Sequence, residues 1–109
     1  MNTSFLDPSL KQKIVRIILG YKDVQRILLF GSRARGDSKP TSDIDLAIVD
    51  KNWSDTDINL AKNALEENLK TPLKIDLLNV ATLEKPRLKQ IILKEGLVLY
   101  ESKTNQRAA

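Results

Sequence analysis

The sequence predicts an α+β fold, a single domain in which a mixed, mostly antiparallel β-sheet carries helices packed mainly on one side. Three observations predict it. Segments of helical apolar spacing and short continuous apolar runs follow one another in the order α-β-β-α-β-α-β. The connection after the first apolar run is too short for a full crossover helix, which argues against an all-parallel sheet. The length of 109 residues, 41% hydrophobic and 29% charged, suits one core.

Asp7-Pro8 reads as an N-cap followed by proline at the first helical position. Leu10, Ile14, Ile17 and Ile18 then recur at helical spacing, and Gly20 is expected to stop this core-packing helix. Val24 to Phe30 is the first strand. Gly31 turns the chain, Ser32 to Arg35 suits a short helix, and Lys39-Pro40-Thr41-Ser42 is loop chemistry. Asp43 to Val49 is the second strand. Ser54, with Asp57 three residues on, resembles a capping box and opens an amphipathic helix through Ile58, Ala61, Leu65 and Leu69. Thr71-Pro72 breaks it, and Lys74 to Val80 is a third strand with Asp76 inside an apolar run. A further helix is expected from near Thr82, with Pro86 in its first turn and Leu88, Ile91 and Ile92 facing the core. Gly96 ends it, and Leu97 to Tyr100 is a short final strand. The domain is therefore placed at residues 1–101, and residues 102–109, SKTNQRAA, form a polar tail expected to fray.

Composition narrows the chemistry. With no cysteine and no histidine, thiolate sites, disulfides and imidazole bases are excluded, so catalysis must run on carboxylates, hydroxyls, Lys, Arg and a borrowed metal. No run reaches membrane-spanning length and the first residues lack a signal-peptide pattern, so a cytoplasmic location without membrane contact is expected. Eighteen basic against 14 acidic residues give a net charge of +4, which suits a polyanionic partner. The cations are spread along the chain and aromatics are only 5%, so direct nucleic-acid binding is not expected.

The chemistry concentrates in FGSRARGDSKPTSDID, residues 30–45. Residues i and i+2 of a strand share a face, which sets Asp43 and Asp45 side by side. Two such carboxylates repel unless a cation lies between them or one takes up a proton. Opposite them, a strand-to-helix turn at Gly31-Ser32 offers backbone N–H groups and a hydroxyl to an anion. A cation site facing an anion site suits a metal-bound nucleoside triphosphate. Two other readings of the same residues fail. Gly31 and Gly36 have P-loop spacing, but Asp37 stands where the phosphate-binding Lys belongs. Asp43-x-Asp45 begins like an EF-hand, but Ala47 and Ile48 occupy positions that need an oxygen ligand and a glycine. A purely structural role, as loop cap and edge charge, suits one aspartate better than two on one face with a third, Asp76, in another apolar strand. Asp55-x-Asp57 is a useful contrast: at a helix start its side chains diverge and favour the helix dipole, so no catalytic role is assigned.

Gly31-Ser32, ten residues, then Asp43-x-Asp45 is similar to the signature of the DNA polymerase β-like nucleotidyltransferase superfamily. The surrounding LLFGSRARGDSKPTSDIDLAIV resembles its minimal nucleotidyltransferase (MNT) branch, and the likeness extends over nearly the whole chain. The resemblance implies the nucleotidyltransferase fold, Mg²⁺ in a two-metal site held by Asp43, Asp45 and Asp76, and Asp76 drawing the proton from an attacking hydroxyl. It implies that Gly31, Ser32 and Arg33 bind the nucleotide, with Arg35 as a further triphosphate contact, and that ATP is the donor. It also implies the catalytic half alone, with an accompanying helical protein of the HEPN class as partner and, in such pairs, a toxin that the MNT protein modifies with AMP. A split enzyme acting on a small-molecule acceptor and a non-catalytic binding antitoxin are the alternatives, and self-association is left open. A partner-facing apolar patch is expected near the rim of the active site.

Overall fold

The computed structural model describes residues 6–103. The first helix, α1 (Pro8–Tyr21), starts as its sequence directs: the Asp7 carboxylate accepts from the N–H groups of Ser9 and Leu10 at 3.0 and 3.3 Å, and Pro8 needs no partner there. It does not stop at Gly20 but runs to Tyr21, where Lys22 turns to extended backbone. Gly20 lies in open space and imposes no break.

Strand β1 (Arg26–Phe30) pairs antiparallel with β2 (Ile44–Val49) on one side and with β4 (Leu97–Glu101) on the other. Strand β3 (Ile75–Asn79) runs parallel to β2, giving the order β3-β2-β1-β4. The parallel pair is joined by a long helical connection, α3 (Asp55–Leu69), whereas the link from β1 to β2 carries no long helix and returns antiparallel. One sheet face, through Ile27, Leu29, Leu46, Ile48, Ile75 and Leu77, joins Ile14 and Ile18 of α1 and Ala61 and Leu65 of α3 in the main core. The other face carries a smaller cluster in which Leu28 and Ala47 meet Val80 and Ile92. Ile92 belongs to α4 (Pro86–Glu95), so two long helices cover one face and the third covers part of the other. Among the described residues, four helices, counting the short α2 (Ser32–Arg35), and a mixed four-stranded sheet bear out the predicted α+β class.

The expected helix from Thr82 is corrected. Val80–Thr82 is a 3-10 turn, and α4 begins only at Pro86, because Lys85 before the proline is held out of the helical region (φ −110°, ψ 95°). Ile92 is fully buried and Leu88 partly, but Ile91, expected in the core, is 43% exposed. Of the expected polar tail, residues 104–109 lie outside the described residues. Among the described residues, no helix is long and apolar enough to cross a membrane.

The capping box at α3 forms, and it does more than cap. Asp57 accepts from the Ser54 N–H at 2.9 Å, from the Tyr21 hydroxyl at 2.6 Å and from Lys22 Nζ at 2.9 Å, tying α3 to the end of α1. The Tyr21 hydrogen bond first, then the Ser54 N–H and Lys22, hold its carboxyl far below the usual range. The same contact, with burial and the Asp57 charge, pushes the Tyr21 phenol up. A depressed carboxyl pKa stabilises the fold above the unfolded value of about 3.9, and that contribution is lost as pH falls through the folded value. Asp57→Asn is therefore expected to melt below wild type at pH 7, with the gap beginning to narrow below about pH 4; thermal melts from pH 7 to 3 measure it. A gap independent of pH would separate Asp57's role from its charge.

Candidate active site

The register of the sheet builds the site. Phe30 on β1, Asp45 on β2 and Asp76 on β3 are consecutive register partners, so the three side chains share one face in a row across three strands. It is the face of Leu28 and Ala47, which α4 only partly covers. Asp45 and Asp76 are half-buried. Asp43, two residues before Asp45, is exposed and sits just outside β2, which begins at Ile44 with a hydrogen bond from its N–H to Lys74 O at 2.9 Å.

Burial, then the charge of Asp76, then that of Asp43, push the Asp45 carboxyl above its usual range; Lys74 and Arg35 pull it back. Three carboxylates thus share one electrostatic neighbourhood. Carboxylate oxygens at a half-open face fit a hard divalent ion that keeps water and phosphate among its ligands. The set is not a finished cage. Among the described residues no three acidic side chains are drawn together as ligands, and Asp76 Oδ1 lies 3.9 Å from Lys62 Nζ, which reaches it from α3.

The anion side lies directly beyond Phe30. Gly31 takes φ 75° and ψ −155°, a region open essentially to glycine alone, and turns the chain into α2. No side chain caps this helix, so by helix geometry its leading N–H groups are left for an outside acceptor. A Cβ at Gly31 would collide with Asp45 Oδ2 and stand 3.1 Å from Asp45 Cγ. The turn and the β2 carboxylate are therefore in van der Waals contact. Gly31, Ser32, Asp43, Asp45 and Asp76, all named from the sequence, come together at this end of the sheet.

Arg33, expected to bind the nucleotide, turns toward the loop. Its guanidinium is buried, donating from Nε to Ser42 O and Asp43 O (both 3.3 Å) and from Nη2 to Pro40 O (3.3 Å) and Ser42 O (2.9 Å). Arg35 is the outward cation, paired with Asp37 at 3.3 Å. Lys74 and Lys62 are site cations that the sequence reading missed. Lys74 was legible, two residues before Asp76 at the start of the same apolar run. Lys62 was not, since only the packing of α3 brings it to the carboxylate. A surface groove of about 530 Å³ between α1 and β4, lined by Val15, Leu19 and Leu99 among others, holds none of these acids.

Strand carboxylates facing a glycine-serine helix start, on a mixed sheet backed by two helices, are an arrangement that suits a nucleotide-phosphate transferase. The chain belongs to the polymerase beta nucleotidyltransferase family, whose sequence pattern matches residues 12–105. Comparison with curated proteins gives no match. Among solved structures, one similar chain comes from a toxin–antitoxin complex with AMP-PNP: 22% identity, TM-score 0.73, covering 90% of this chain and 78% of that one. Another comes from the complex of tri-AMPylated Shewanella oneidensis HEPN toxin with its MNT antitoxin: 20% identity, TM-score 0.68, covering 92% and 76%. A third, assigned as a minimal nucleotidyltransferase, is 28% identical with TM-score 0.63, covering 82% and 88%.

Proposed function

We propose that this chain moves AMP from ATP onto a hydroxyl of a HEPN-class helical partner and acts as the antitoxin of that pair. The observation that carries the reading is the Asp45–Asp76 row, with Asp43 beside it, in contact with the Gly31 turn. The toxin–antitoxin relatives support the choice of nucleotide and partner.

In this reading Asp43 and Asp45, joined by Asp76, hold Mg²⁺. Bound there, the metal would draw charge from the α-phosphate and the leaving pyrophosphate. The chain's own part is positioning and charge. The Gly31-Ser32 turn and the Ser32 hydroxyl take the β- and γ-phosphates. Arg35 and Lys74, whose charges already act on Asp45, offset the anionic load. Asp76 accepts the proton of the attacking hydroxyl as its oxygen bonds to the α-phosphorus and the bond to pyrophosphate breaks. Four of the exposed large hydrophobics among the described residues, Ile91, Leu93, Leu97 and Val98, lie on α4 and β4. Of these, Val98 pairs with Leu28 and so lies on the face of the acids, whereas Leu97 pairs with Leu29 on the opposite face; Val98 with the exposed residues of α4 is the apolar surface that suits the partner's docking.

The test is transfer from ATP labelled at the α- or the γ-phosphate, with Mg²⁺, to the co-purified helical partner. Label from the α-position on the partner is expected. Pyrophosphate release without protein labelling would transfer the reading to a small-molecule acceptor, and neither label nor pyrophosphate would leave a binding antitoxin.

A further inference from the structure

We infer that Arg33 is a positioning residue: it locks the loop between the phosphate turn and the metal strand, and so sets where Asp43 stands relative to Ser32. The inference rests on the proposed nucleotide site and assigns Arg33 a role there other than phosphate contact.

Arg33 is 7% exposed, and among the described residues no carboxylate pairs with it. A buried guanidinium without a counter-ion must satisfy its donors on neutral acceptors, and here these are carbonyls of one loop, those of Pro40, Ser42 and Asp43. The alignment is specific. Asp43 lies one residue before the β2 ladder, and the peptide that joins it to Ile44 is held from two sides: by the sheet through Ile44 N–H on Lys74 O at 2.9 Å, and by Arg33 Nε through the Asp43 carbonyl at 3.3 Å. At its other end Arg33 sits one residue after Ser32, inside α2. One side chain thus spans the two halves of the site across a ten-residue separation in sequence. Within the loop, Ser42 N–H to Lys39 O at 2.9 Å and Lys39 N–H to Ser42 Oγ at 2.7 Å close a local turn. A lysine would carry the charge but not the planar fork, and its single head cannot serve three carbonyls at these directions. Nε and Nη2 are thus spent on the loop, while Arg35 is the exposed arginine of α2.

The experiment compares wild type, Arg33→Met, Arg33→Lys and Asp43→Asn by three readouts: melting temperature, amide hydrogen exchange over residues 37–43, and affinity for Mn²⁺ with α,β-methylene-ATP as probe. Arg33→Met is expected to raise loop exchange at least tenfold, leave α1 and α3 protected, and weaken Mn²⁺ binding about 10–100-fold, as loss of a ligand's supporting contact does. Arg33→Lys is expected to follow Arg33→Met. Asp43→Asn is expected to lose Mn²⁺ affinity with the loop still protected. If Arg33→Met fails to fold, Arg33→Gln, which keeps one amide donor, takes its place. Unchanged loop exchange, or a loosened loop with wild-type Mn²⁺ affinity, or full affinity in Arg33→Lys, would each overturn the assignment. Absence of Mn²⁺–nucleotide binding in wild type would instead sink the proposed function, while loop exchange still decides whether Arg33 holds the loop.

Discussion

Asp45→Asn is expected to abolish nucleotidyl transfer while the unliganded chain melts at or above wild type at neutral pH. The first half follows from removing one of the carboxylates that the site uses to hold charge opposite the phosphate turn; a loss of at least about 100-fold is the scale for deleting one preorganised electrostatic group. The second half follows from the direction of the Asp45 shift. Burial and the neighbouring Asp76 and Asp43 raise its carboxyl pKa, so the folded state disfavours the charged form. Such a group stabilises the fold only while protonated, and that contribution is lost as pH rises through the folded value. At neutral pH the wild type therefore carries a cost that the neutral amide removes. Ligand reverses the order. With Mg²⁺ and nucleotide at a hundredfold over the dissociation constant, wild type gains about 2.7 kcal/mol, and Asp45→Asn gains little. Melting curves with and without Mg²⁺·ATP, run beside the transfer assay, give all four numbers. An Asn variant that melts well below wild type without ligand would mean that Asp45 is a structural residue. Asp43→Asn is expected to lose transfer equally, with stability changed by less than about 0.5 kcal/mol, since Asp43 is exposed and outside the ladder.

The second large effect is expected at Gly31. Alanine there meets two independent objections. Its backbone would have to hold φ 75° and ψ −155°, at a cost of about 1–3 kcal/mol. Its methyl would also occupy the place of the Asp45 carboxylate, so the turn must open or the acid must swing away. Either outcome separates the phosphate side from the metal side. Gly31→Ala is expected to lower the melting temperature by about 5–15 °C for a domain of this size and to reduce transfer at least about 100-fold. Gly20→Ala is the matched control. Gly20 lies within α1 with nothing near its missing Cβ, so alanine should stabilise by about 0.5–1 kcal/mol and leave transfer unchanged. Equal behaviour of the two variants would remove the case for a special turn at Gly31.

The two glycines also mark how far the sequence could be read. Element types and order were legible because apolar periodicity and caps are local: Asp7-Pro8, Ser54 with Asp57, and the strand runs each act within a few residues of themselves. The nearness of Asp43 and Asp45 was legible for the same reason, since they are two residues apart in sequence, although β2 begins only at Ile44 and leaves Asp43 just outside it. The sequence by itself therefore determined the fold class, the element that turns the chain, and the chemistry that the chain can support. What it could not determine was anything set by packing between distant segments. Ile91 is exposed while Ile92 is buried, because the way α4 is rotated against the sheet is set by packing and not by its own spacing. Asp76 became the register partner of Asp45 only when β3 added in parallel to β2. Lys62 reached Asp76 through the packing of α3. Arg33 shows the difference most sharply: beside Ser32 in the chain it reads as a phosphate ligand, but folding buries it, and a buried guanidinium must spend its donors on whatever acceptors surround it. Those acceptors are loop carbonyls that only the tertiary structure brings within reach.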